Sequence, residues 1–109
     1  MTLSQQQLRD LKLIQNSPAS LRKHLLKKLP LRSVKGICEC SLNVLNGNLP
    51  ISSQQKKKLR KYKVTLRKIA NRKESLPKKK KIIIQEGGFL NILIPAAISA
   101  ISTLIHGVQ

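Results

Sequence analysis

The chain has 109 residues, 22 Lys/Arg against 4 Asp/Glu, a formal net charge of +18, and only Tyr62 and Phe89 as aromatics. That length allows one small domain with tails, and that charge favours a polyanionic partner: nucleic acid first, through counterion release, and an anionic membrane surface second. The scarcity of aromatics excludes base-stacking readers of the RRM or OB type, and the excess of Lys over Arg favours point-charge neutralisation over bidentate base reading.

Leu8, Leu11 and Ile14 are spaced for a short amphipathic helix within residues 1–17, ended by Ser17-Pro18. The polar stretch Met1–Gln7 has no apolar signal-peptide core. Ser20 is expected to cap a helix over Leu21–Leu29, which Pro30 stops. Leu31–Asn46 is the next expected helix, with Leu31, Val34, Cys38, Leu42 and Leu45 as its buried stripe. Asn46-Gly47-Asn48 reads as its stop, because Gly or Asn accepts the left-handed cap conformation. Cys38 and Cys40 form a C-x-C pair with no second pair to complete a zinc set, so they read as helix-borne thiols of a reducing compartment.

Ser52 and Ser53 are candidate caps of a long basic helix over about Gln54–Arg72, with Leu59, Tyr62, Leu66 and Ile69 as its apolar stripe. From Ser52 to Lys81 there are fourteen Lys/Arg and one acid, Glu74. So large a local excess, without acidic partners at i,i+4, reads as a polyanion-binding surface. Its candidate contacts are Lys56, Lys57, Lys58, Arg60, Lys61, Lys63, Arg67, Lys68, Arg72 and Lys73, followed by Lys78, Lys79, Lys80 and Lys81. Leu76-Pro77 reads as a break and Lys78–Lys81 as a solvated linker, equally compatible with nuclear localisation.

Ile82–Gln109 contains no Lys or Arg and only one acid, Glu86. Phe89–Ile105 reads as an apolar helix at the short end of what spans a bilayer. Phe89, Leu90, Ile94, Ile98, Ile101 and Ile105 are its candidate membrane contacts, opposite a polar side of Asn91, Ser99, Ser102, Thr103 and His106. Pro95 is expected to kink it or start it. Gly87-Gly88 reads either as a hinge or as a processing site, since a narrow protease cleft requires residues without side chains.

The expected fold is all-α: an N-terminal segment (1–17), a basic helical unit of three to four helices (18–73), a basic linker (74–88) and a separate apolar helix (89–109). A core of fewer than about sixty residues is marginal alone, so oligomerisation is one expected source of order. Four scattered carboxylates form no acid/base pair, and no nucleotide-binding, metalloprotease or nucleophile-elbow motif is present. No enzymatic activity, cofactor or metal is therefore expected, and His24 and His106 read as solvated or partly packed.

The stretch Lys78–Ile101, with its Lys run, Gly-Gly and L-I-P tail, resembles the precursor of the small basic core protein X (mu) of adenoviruses. Most of Leu21–Ile105 also resembles the short basic proteins of Polinton/Maverick elements and adintoviruses. The shared features stand at Leu21–Lys28, Asn43–Asn48, Leu59–Lys63 and Phe89–Pro95. The adenovirus protein is Arg-rich and lacks a folded unit like the one expected here. The resemblance implies a virion core protein of virus and host nucleus that neutralises double-stranded DNA. Its implied partners are capsid proteins and a viral cysteine protease. Such a protease would cut between Gly88 and Phe89, after Gln85-Glu86-Gly87-Gly88. A membrane-active role in entry or assembly is the alternative expectation.

Overall fold

Ser4 opens α1 (Gln5–Asn16) with a capping box: its hydroxyl accepts from the Gln7 amide at 3.0 Å, and its amide donates to Gln7 Oε1 at 2.9 Å. A computed structural model describes residues 3–108, and side-chain surroundings are described for residues 3–100. Leu11 and Ile14 are buried, as their spacing requires. α2 (Ala19–Lys27) starts before the expected Ser20 cap, because the Pro18 carbonyl already accepts from the amides of Leu21 and Arg22, each at 3.0 Å. Leu26 and Leu29 enter the core, whereas Leu21 stays exposed.

α3 (Leu31–Leu45) ends where expected, at Gly47 with φ 70°. The Asn48 amide bonds the Asn43 carbonyl at 2.9 Å and the Gly47 amide bonds that of Val44 at 3.1 Å, the two closures of a Schellman cap. The expected stripe is displaced around the helix. Val34, Ile37 and Cys40 are buried together with Ser33, Gly36 and Ser41, while Leu31 is exposed and Cys38 only half-buried. The cause is that α3 is contacted by helices on several sides, so its buried arc is wider than one stripe.

The single long basic helix is instead two, α4 (Ser53–Arg60) and α5 (Lys63–Ala70), broken at Lys61-Tyr62. α4 packs against the C-terminal helix and α5 along α3, two directions that one straight rod could not follow. Leu59, Leu66 and Ile69 all remain buried, and Tyr62 takes φ −107°, ψ 17° at the break.

The solvated linker is a helix, α6 (Leu76–Gln85). Ser75 caps it, and Pro77 lies in the first turn, where its missing N–H costs no hydrogen bond. A short 3-10 turn, Gly87–Phe89, then leads into α7 (Leu90–Val108), bent by 82° from α6.

α7 is not a separate appendage. Phe89, Leu90, Leu93, Ile94, Ala96, Ala97 and Ala100 are buried at helical spacing, against α1, α3 and α4. The hydrophobic cluster draws on all seven α-helices of the described residues, from Leu11 through Ile37, Ile69 and Ile83 to Ala97. Burying apolar surface supplies about 25 cal/mol per Å², and an apolar helix within a strongly basic chain finds that burial in the chain itself. The radius of gyration, 13.0 Å, equals the roughly 13 Å expected of one domain of about this length.

Polar links fasten the layers. Gln7 Nε2 donates to the Arg32 carbonyl at 2.9 Å, and Arg32 Nε lies 3.1 Å from Asp10 Oδ2, tying α1 to α3. The Arg22 guanidinium donates to Asn91 Oδ1 and so ties α2 to α7.

Candidate nucleic-acid interface

Ser52 starts the interface. Its hydroxyl accepts from the Gln55 amide at 3.1 Å while its amide donates to Gln55 Oε1 at 3.0 Å, fixing the first turn of α4. Leu59 then points inward, which sends Lys56, Lys57, Lys58 and Arg60 to solvent, with Lys61 following. On α5 the inward residues are Thr65, Leu66 and Ile69, leaving Lys63, Arg67 and Lys68 outside. Neither helix carries a carboxylate. Lys68 lies 3.9 Å from Glu86 across the surface, a pair worth at most about 1 kcal/mol.

Arg72 and Lys73 lie exposed on the turn after α5, where Asn71 Oδ1 accepts from the Lys73 amide at 3.1 Å. The Lys run divides once α6 forms. Lys78 and Lys81 are exposed and Lys80 is half-buried, but Lys79 is only 6% exposed. Its helical position, between Leu76 and Ile83, is on the packed face, where its methylene stem covers apolar surface. Lys79 is therefore corrected from a surface contact to a mostly buried cation. Lys78 is held 3.4 Å from Glu74.

The cations border three open clefts. Lys56, Arg60 and Lys63 edge one that has no acidic lining residue. Arg72 and Lys79 line a second, of about 350 Å³, with Cys38, Glu39 and Glu74. Lys68 and Lys78 share a third with Glu74 and Glu86. Lys35, on α3, joins Arg72 and Lys79 at the second cleft. Sequence reasoning missed it because only the packing of α3 brings it there. The acids of the second and third clefts offset their cations, so the positive field is least opposed along α4 and the start of α5.

The expected processing site lies in a closed geometry. Gln85, Glu86 and Gly88 are exposed, but the chain is helical up to Gln85 and a 3-10 turn beyond Glu86, and Phe89 is fully buried. A Cβ on Gly87 would stand 3.4 Å from Leu26, and one on Gly88 3.4 Å from the Tyr62 hydroxyl, so each glycine has a neighbouring side chain at contact distance. Glu86 is drawn toward α5, accepting from Thr65 Oγ1 at 3.4 Å.

Of the expected membrane contacts, Phe89, Leu90 and Ile94 are core residues and Ile98 is half-buried, while Ile101 and Ile105 lie outside the residues whose side chains are described. Among the described residues no single helix is long and apolar enough to cross a membrane. Leu76–Gln85 with Gly87–Ala100 would qualify only as a bent pair.

Burial pushes the Cys40 thiol up to about 12, and it also raises Cys38, partly offset by Lys79. Both stay protonated near neutrality and are poor nucleophiles. No group of three or more His, Cys, Asp or Glu side chains gathers as a metal site among the described residues. Comparisons with protein-family models, curated proteins and solved structures found no match to this chain.

Proposed function

We propose that the protein binds double-stranded DNA without sequence preference, neutralising its phosphates as a structural protein of a virus-like core, in the virion and the host nucleus. One observation carries this reading. Twelve of the fourteen cations between Ser52 and Lys81 are exposed, and among the described residues only Lys68 and Lys78 of them have an acidic partner within ion-pair reach. Unpaired cations on rigid helices exchange water for phosphate at little conformational cost, and release of DNA counterions drives the exchange. Lys contacts phosphate as a point charge and carries no base information.

The virus-like setting is supported by the resemblance of the Lys-run, Gly-Gly and L-I-P region to adenovirus core protein X precursors and to Polinton-type basic proteins. With α7 in the core, a cysteine protease cutting after Gly88 would first need Phe89 withdrawn from its neighbours. Processing on this fold would be a disassembly step, which removes Phe89, Leu90, Leu93, Ile94 and Ala97 from the cluster they complete. Capsid proteins remain proposed partners. The membrane-active alternative requires the same opening for Phe89, Leu90 and Ile94, which the chain's own core already covers.

Fluorescence anisotropy with two duplexes of unrelated sequence tests the proposal. Equal affinities within threefold, and weaker binding to an uncharged polymer, are expected. A tenfold preference for one duplex would overturn the non-specific reading, and no binding to either would overturn the DNA reading.

A further inference from the structure

The cleft edged by Lys56, Arg60 and Lys63 has a floor with a different chemistry. Leu45, Leu49, Ile51 and Leu66 are part of a set of six aliphatic side chains lining it, and no carboxylate is present. It forms where the Schellman cap at Gly47 turns the chain from α3 toward α4, and where the α4–α5 break holds Leu59 and Leu66 inward. Among the described residues the three cations on its rim have no ion pair. The chain's acids are committed elsewhere: Asp10 to Arg32, Glu74 to Lys78, Glu86 to Lys68, and Glu39 beside Asn43.

A DNA backbone presents charge and small sugar carbons, but no bulky apolar group that projects far enough to fill such a floor. The cavity, about 220 Å³ and open to solvent, is smaller than the roughly 300–1,000 Å³ of a small-molecule pocket. A bilayer surface meets projecting apolar side chains, whereas a recess accepts a side chain that projects from a partner. We propose that this groove docks an acidic protein segment, with a bulky apolar side chain in the recess and flanking Asp or Glu on Lys56, Arg60 and Lys63.

Those three cations also belong to the proposed DNA interface, so partner and DNA exclude one another there. The acidic segment would hold the protein off DNA until duplex displaces it. Only this exclusion rests on the DNA reading; docking of the segment does not.

The test uses the full chain and two short fluorescein-labelled peptides. One carries Asp and Glu around a central Leu-Phe pair, and the other has Ala at both central positions. The Leu-Phe peptide is expected to bind at least tenfold tighter than the Ala peptide. Ile51→Ser, checked for helicity by circular dichroism, should remove that difference while leaving duplex affinity within twofold. Duplex DNA should weaken the Leu-Phe peptide at least tenfold. Equal binding of the two peptides overturns the groove proposal without bearing on DNA binding, and needs no variant. Ile51-dependent binding to vesicles of anionic phospholipid, with no Leu-Phe preference among the peptides, would assign the groove to lipid and overturn it as well. A Leu-Phe preference that duplex does not disturb would retain the docking site but overturn the exclusion.

Discussion

Phe89 packs against Tyr62, with ring centroids 6.5 Å apart and planes inclined by 51°. The residue after Gly87-Gly88 is therefore anchored on the residue at which the basic helices break. This contact joins the apolar helix to the charged surface and explains why neither behaves as an independent tail. Phe89→Ala is expected to cost about 3–5 kcal/mol, read as a lowered urea midpoint, and to make the chain cleavable near Gly88 by a non-specific protease. A loss under 1 kcal/mol would mean that α7 contributes little to the fold.

Gly36 lies inside α3, where a Cβ would meet Gln7 of α1 at 3.5 Å, an ordinary van der Waals contact. Nothing in its surroundings requires glycine, and Gly costs a helix interior roughly 0.5–1 kcal/mol relative to Ala. Gly36→Ala should raise stability by about that amount in urea denaturation. Destabilisation would show that α1 and α3 approach more closely than this geometry allows.

Asp10 links stability to acid pH. Burial raises its pKa, but hydrogen bonds donated by Ser33, Arg32 and Gln6 outweigh burial and set it below the ordinary 3.8. A depressed carboxyl contributes stability that is fully present above the unfolded-state pKa and is lost as pH falls through the folded-state value. Asp10→Asn should lower stability at neutral pH and flatten the part of the acid limb below about pH 4. An unchanged acid limb would place the titration elsewhere.

The two thiols should differ in labelling. Cys40 is buried in the core and Cys38 half-buried at an open cleft. At pH 8 a maleimide should modify Cys38 slowly and Cys40 only with global unfolding, so that intact mass shows one adduct before two. Two adducts appearing together in native buffer would contradict the packing of α3.

The helical class, the Ser52 cap and the Gly47 stop were legible because each depends on local chemistry. Leu90, Ile94 and Ala97 were legible as part of an apolar face of α7, but its partner was not. Periodicity identifies an apolar face without saying whether lipid or the chain's own core covers it. The break at Lys61-Tyr62 has no Gly or Pro to mark it and arises from two competing packing directions. Pro77 reads as a stop in sequence because a proline in a first helical turn and one after a helix look alike there. Four successive lysines suggest solvent on every side, yet forming α6 turns Lys79 inward. The clefts bordered by the cations, and the place of Lys35 at one of them, depend on helix packing and leave no local signature.

Salt dependence of duplex binding tests the central claim most directly. The logarithm of the affinity of the full chain for a random-sequence duplex should fall linearly with the logarithm of salt concentration, with a slope of about −0.9 per phosphate neutralised. Replacing Lys57, Lys58, Lys61 and Arg67 together by Gln should reduce that slope by about one unit for each phosphate that is no longer neutralised, with helicity unchanged. A slope near zero, or one that the four substitutions leave unaltered, would contradict phosphate binding by α4 and α5.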